Sequence, residues 1–276
     1  MLKRPQPPPE NPGLPRFTVH LAEQCHADAA EGVSDRRQGQ APRLWHQNPT
    51  DASIGLNVMK VLSVNVAQAR AIKIGGRDVM TGIFKEPVRG RVRARRHALD
   101  GDVQADLRVH GGEHKAVYAY PVEHYPYWEE ALARSGLGPG TFGENLTTSG
   151  LLETDTHIGD VLRIGSAVLQ VTHPRMPCAK LAHKFGRPEL IKEFLLSGRS
   201  GFYLRVEEEG ELGAGDDIEI VRRDPNGVTV RQLLGLTDLH EHDPELARRA
   251  AKLEALPPSW RDDVAAVLRR LPDDRS

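Results

Sequence analysis

Between residues 59 and about 223 the chain is cut into short apolar or alternating runs by glycine, aspartate and proline, and this punctuation constrains the fold more than any other feature. The runs "VRGRVRAR", "DLRVHGG", "KAVYAYP", "DVLRIGSAVLQVTH" and "GFYLRVEEEGELGAGDDIEIV" are β-branched or alternate with the period of two that half-buried strands show. Turns between paired strands are expected at Ile164-Gly165-Ser166 and across Gly210 to Gly215. Two helices interrupt the pattern. "PVEHYPYWEEALAR" puts Tyr125, Trp128, Ala131 and Leu132 on one face, and "RPELIKEFLLS" does the same with Leu190, Ile191, Phe194 and Leu195. Many short strands with few helices predict a mainly β, α+β domain built as a closed or partly closed β-barrel.

The flanks differ. Residues 1–58 hold 8 of the 20 prolines and few large apolar side chains, so this segment is expected to be a disordered tail. The character changes at Met59, where Val61, Leu62, Val64 and Val66 open the β-rich region; Met59 as the natural start of the protein and a tail with its own role are equally open. After the turn signal at 224–227 the period becomes helical through residue 276. Thr229 with Gln232 forms a capping-box pattern, Asp243-Pro244 reads as an N-cap followed by proline, and Ser259 precedes a third helix. Trp260, Val264, Val267, Leu268 and Leu271 make one apolar stripe on it, so 224–276 is read as a small three-helix domain.

Composition narrows the function. A formal net charge of −1 lacks the basic footprint of a protein that grips nucleic acid. No run approaches the ~18 apolar residues of a membrane span, and no secretion signal opens the chain, so a cytoplasmic protein is expected. The two cysteines, Cys25 in the tail and Cys178, supply neither a disulfide framework nor a CxxC pair for zinc or an iron–sulfur cluster.

Three stretches carry chemistry. In "RVHGGEHKAVYAYP", His110 closes a strand, Gly111 and Gly112 allow a sharp turn with close backbone approach, and Lys115 opens the next strand; the group can cradle a phosphate or a polar heterocycle, or be a tight hairpin with solvated charges. In "GTFGENLTTSGL", Phe142 and Leu146 anchor a loop while Glu144 and Asn145 offer polar groups, Asn145 with the paired amide and carbonyl that read a pterin or purine edge; an Asx-type turn that satisfies itself is the alternative. In "PRMPCAKL", Pro174 and Pro177 fix the backbone around Cys178 without a helix or ladder, and Arg175 and Lys180 favour the thiolate. From the residues alone Cys178 remains balanced between core filler and reactive thiol. The histidines at 97, 110, 114, 124, 157, 173 and 183 show no spacing typical of a metal triad.

Taken together, "GIFKEPV", "LDGDVQADLRVHGGEHKAVYAYPVEHYPYW", "FGENLTTSGL", "IGDVLRIGSAVLQVTHPRMPCAKL" and "SGRSGFYLRVEEEGELGAGDDIEI", with "LPPSWR" near the end, resemble the MOSC domain family, in its YiiM-like branch, in order and spacing. The likeness spans residues 59 to about 271, its motif core about 86–223. "HALDGD" departs from the family's "GLxGD", with Ala98 where a glycine is usual. The resemblance implies a β-barrel that holds the molybdenum cofactor, a pterin whose dithiolene binds molybdenum, with Cys178 as the protein's thiolate ligand. It places the 109–112 and 142–145 loops at the cofactor, makes Arg108, Lys115, Arg175 and Lys180 candidates for its phosphate, and leaves His110 or Glu144 to relay protons. It implies reduction of N-hydroxylated compounds such as 6-hydroxylaminopurine to amines, with electrons from a separate flavin or iron–sulfur protein. A persulfide sulfur carrier at Cys178 and a noncatalytic cofactor-binding module are the competing readings. For the three helices, dimerisation, partner docking and closure over the pocket stay open, and a homodimer is one assembly open to the chain.

Overall fold

A computed structural model describes residues 58–105 and 111–270. The expected disordered tail, His110 and Arg108 of the first motif, and Leu271 of the last stripe lie outside the described residues.

Twelve strands follow in order: β1 Lys60–Val66, β2 Arg70–Ile74, β3 Arg77–Thr81, β4 Glu86–Pro87, β5 Arg91–Ala94, β6 Val117–Pro121, β7 Leu146–Ser149, β8 Val161–Ile164, β9 Ala167–Pro174, β10 Phe202–Glu208, β11 Gly210–Gly213 and β12 Ile218–Arg222. Six helices accompany them: α1 Tyr125–Ala131, α2 Ala179–Phe185, α3 Leu190–Ser197, α4 Val230–Asp238, α5 Pro244–Ala250 and α6 Pro258–Leu268. Eight strands form one mixed sheet in the order β12-β8-β9-β10-β6-β7-β1-β4, with β6 and β7 parallel and the other pairs antiparallel. The β2–β3 hairpin and the β5–β11 pair stand beside it.

The α+β class is as expected, but the sheet is not a closed barrel. β4 takes the outer edge of the second half of β1 at Asn65 and Val66, so only residues 59–61 remain to meet the far end of the sheet. They do so through one bridge, Lys60 with Asp217, and hydrogen bonds such as Val61 N to Asp216 O at 2.9 Å. Two local expectations also change. Residues 210–213 are not a turn but strand β11, paired with β5; Gly210 passes so close to Ser166 that a Cβ would lie 2.4 Å from its carbonyl carbon. Lys115 ends a single 3-10 turn, Glu113–Lys115, rather than opening β6. Ala98 shows no left-handed backbone, so the missing glycine costs nothing there.

Burial alternates along β5, while β6 and β9 in the middle of the sheet are buried on both faces. The larger apolar cluster joins the sheet, through Val61, Leu146, Leu162, Leu169 and Phe202, to the C-terminal helices, through Leu233, Leu246 and Trp260. The capping box at Thr229 and Gln232 and the Asp243 cap, accepting from Leu246 N at 2.9 Å, start α4 and α5 as expected. A smaller aromatic cluster gathers Tyr118 and Tyr120 from β6, Tyr125 and Trp128 from α1, Phe142 and Phe194. Its polar tips are satisfied: Trp128 Nε1 donates to Tyr120 Oη at 2.6 Å and Tyr118 Oη to Ser200 O at 2.8 Å.

Asp238 at the end of α4 carries a pH dependence. Burial pushes its carboxyl from 3.8 up to about 6, opposed by the Thr237 hydroxyl and reinforced by Asp263. The folded chain therefore binds more protons than the unfolded chain between those values, and stability falls as pH rises through that window. We expect Asp238→Asn to stabilise the protein at pH ~7 by about 1–2 kcal/mol, and to change little near pH ~4, as read by denaturant unfolding at both pH values.

Candidate functional site

Cys178 is placed by a strand that ends and a helix that begins. β9 finishes at Pro174, and Cys178 is the extended N-cap residue of α2, its carbonyl accepting from Leu181 N at 2.9 Å and Ala182 N at 3.2 Å. The thiol is thus fixed by both neighbouring elements and not by the prolines alone. It is half-buried, against the edge of the aromatic cluster, and opens into a cleft. The space between its walls is roughly 620 Å³, part of it open solvent.

Its charges are lopsided. Lys85, Lys115, Arg175 and Lys180 line it with Asp102 as the one carboxylate among the described lining residues. Lys85 and Asp102 are both nearly buried and paired through both carboxylate oxygens at 2.6 Å. Asp102 also accepts from Ala67 N and Asn145 Nδ2, each at 2.8 Å, so it is committed to the wall of the cleft. Burial pulls Lys115 below its ordinary range while the charge of Cys178 pulls it back up, which puts this ammonium within electrostatic reach of the sulfur.

Arg175 is the unusual member. Only 4% exposed, it has no carboxylate partner among the described residues, and its buried Nη1 has no hydrogen-bond partner. Its guanidinium carbon lies 5.3 Å from the Tyr118 ring centre and 5.4 Å from that of Phe194, and its charge acts on the Tyr203 phenol. A desolvated cation without a counter-ion is costly, and an orphaned donor in a cleft wall is a place prepared for an anion. Tyr203, also lining the cleft, is held in its protonated form by burial, with Arg175 opposing. These groups can hold an anionic ligand beside a thiolate. Among the described residues no three His, Cys, Asp or Glu gather as a metal-binding group, so a metal here takes most of its ligands from elsewhere.

A family profile, MOSC domain, matches residues 106–219. Uncharacterized protein YflK of Bacillus subtilis is 44% identical over 202 residues, spanning 73% of this chain and 90% of its own length. Protein YiiM of Escherichia coli is 33% identical over 183 residues, 65% of this chain and 81% of its own. The chain belongs to the MOSC domain family. The crystal structure of YiiM from Geobacillus stearothermophilus superposes with a TM-score of 0.64 at 34% identity, over 76% of this chain and 99% of that one, and places the chain in the YiiM-like branch. The MOSC profile starts after Lys85, Asp102 and Gln104, so one wall of the cleft comes from residues before the matched stretch.

The MOSC cleft brings together Cys178, Lys115, Asn145, Arg175 and Lys180 of the sequence-derived candidates. Asn145 is largely occupied by the protein: Nδ2 donates to Asp102 and to Asn65 O at 3.2 Å, and Oδ1 accepts from Tyr118 N at 3.1 Å. One acceptor lone pair remains for a ligand. Glu144 is corrected from the cleft to the layer behind it. Fully buried, it accepts from Tyr125 Oη, Gly140 N at 2.7 Å, Phe142 N at 2.9 Å and Thr147 Oγ1 at 3.0 Å, and so shapes the loop that presents Asn145. Gly111 and Gly112 flank the cleft without lining it. Gln104 pins their turn, accepting from Gly112 N at 2.9 Å and donating to Lys115 O at 3.1 Å. Sequence reasoning missed Lys85, Asp102, Gln104, Tyr118 and Tyr203; the first three lie inside or beside "GIFKEPV" and "LDGDVQAD", quoted for the family but given no role.

Proposed function

We propose that this chain holds the molybdenum cofactor with Cys178 as its thiolate ligand and reduces N-hydroxylated small molecules to amines. The observation that carries the reading is the half-buried thiol opening into the same cleft as a buried Arg175 whose Nη1 has no hydrogen-bond partner. The donor set fits the group: one soft sulfur suffices where a pterin dithiolene brings two more, and a phosphorylated pterin asks for the cations that Arg175, Lys115 and Lys180 offer. When bound, the cofactor supplies the two-electron redox chemistry.

The chain's residues do the rest. Cys178 fixes the metal at the start of α2, and Arg175 orients the anionic ligand through Nη1. The Tyr118 and Tyr203 rings, 5.3 Å apart and tilted by 41°, give an aromatic wall that excludes water from one side. The net reaction consumes two protons and two electrons, turning the hydroxylamine into an amine and water. Tyr203 keeps a proton on Oη because it is buried, with Arg175 opposing, and it is the group placed to donate it in the cleft. The electrons come from a separate flavin or iron–sulfur protein.

The test bypasses that donor. Chemically reduced, molybdenum-loaded protein mixed with 6-hydroxylaminopurine is expected to be reoxidised with release of adenine, one per metal, followed by chromatography. Full metal loading with no turnover favours a noncatalytic binding module.

A further inference from the structure

The mouth of the cleft is basic. Residues 70–87, the β2–β3 hairpin and the segment after it, and 179–187, α2 and its C-cap, carry seven lysines and arginines against Asp78 and Glu86, in a chain whose net charge is −1. The two segments form one surface. β2 packs against α2, the Phe84 ring has Arg70 at 3.2 Å on one side and Lys184 at 5.5 Å, and Lys184 Nζ donates to Ile83 O at 3.1 Å and Gly140 O at 2.9 Å. This surface borders the site directly, since Thr81, Gly82, Ile83 and Lys85 line the cleft from one segment and Cys178 and Lys180 from the other.

Much of the charge is uncompensated. Lys73 pairs with Asp78 at 3.0 Å, Lys85 with Asp102 at 2.6 Å and Arg187 with Glu193 at 2.8 Å, but Arg70, Arg77 and Lys184 make no ion pair among the described residues. Burial lowers Lys184 to about 8, opposed by the charge of Glu144 and aided by Arg175, Arg70 and Lys85. Met80, 47% exposed, adds an apolar contact at the hairpin. Arginine and methionine around a small apolar centre are what transient protein interfaces favour, and electron-transfer encounters are among the smallest of them.

We infer that this basic rim is the docking surface for a small acidic electron-carrier protein. The inference rests on the proposed reductive function: Cys178 is the one cysteine of residues 59–276, which leaves no ligand set for an iron–sulfur cluster, and the carrier must approach the cleft closely. The rim combines that proximity with the charge sign that steers an acidic partner.

The test measures binding and not turnover. The full chain is titrated calorimetrically with purified flavodoxin and with plant-type ferredoxin, both acidic carriers. Binding of at least one is expected, weakening as salt rises from ~20 to ~300 mM because exposed charges are then screened. Lys73→Glu/Arg77→Glu, two exposed positions outside the cleft lining, is expected to weaken it about tenfold or more, with at most a small loss of thermal stability from the broken Lys73–Asp78 pair. Arg163→Glu on β8, a strand that contributes nothing to the cleft lining, is expected to leave binding intact. Failure of both carriers to bind, or equal binding by the double variant, overturns the inference. So does retention on anionic vesicles or duplex DNA that disappears in the double variant while the carriers do not bind. Because binding is read with or without metal, a chain lacking molybdenum would refute the proposed function and leave this test intact.

Discussion

Arg175→Met is expected to make the metal-free protein more stable and to deprive it of its cofactor. Burying a guanidinium costs several kcal/mol in desolvation, and no carboxylate repays it here. Its contacts with the Tyr118 and Phe194 rings return up to about 2 kcal/mol. With the Cys178 thiol protonated, desolvation wins over these contacts and methionine fills a similar volume without charge, so unfolding should shift toward stability by about 1–3 kcal/mol; the charge of an ionised thiol works the other way. An anion that meets Arg175 in the cleft would lose a buried charged partner, a loss of about 3 kcal/mol or about 100-fold in affinity. Thermal unfolding of the metal-free protein and the pterin content after expression in a cofactor-making host read the two effects separately. A variant that is less stable and keeps its pterin would show Arg175 to be a packing residue. Such opposition between stability and function is what a prepared binding site produces.

The sequence made the strand content, the capping of α4 and α5, and five lining residues of the cleft legible, each for a local reason. Periodicity marks Val61 and Leu169 as inward, cap chemistry marks Thr229 and Asp243, and the unusual company of Cys178 marks Arg175 and Lys180. What escaped is decided by tertiary pairing. That β4 occupies the edge β1 would need to close a barrel depends on a two-residue strand with no periodicity to read. That Asp102 locks Lys85 and Asn145 into one wall depends on three segments meeting, and Tyr203 joins Arg175 only because β10 pairs with β9. Glu144 was misplaced because a loop carboxylate reads alike whether it faces the ligand or turns inward to two backbone amides and two hydroxyls.

Cys178→Ala carries the other large effect. Among the described residues no group of other ligands stands ready to replace the sulfur, so the account makes metal retention depend on this one atom. Arg175, Lys115 and Lys180 remain in the variant, and the α2 N-cap loses nothing, since the Cys178 side chain makes no capping bond. The fold should therefore survive, with only a small loss of packing at the edge of the aromatic cluster. The decisive measurement is molybdenum and pterin per chain in full-length protein purified from a cofactor-making host, before and after Cys178→Ala. The account predicts near-stoichiometric molybdenum and pterin in the wild type, and a folded variant with its molybdenum gone. Wild-type protein without molybdenum, or a variant that retains it undiminished, would contradict the assignment of Cys178 as the metal's ligand.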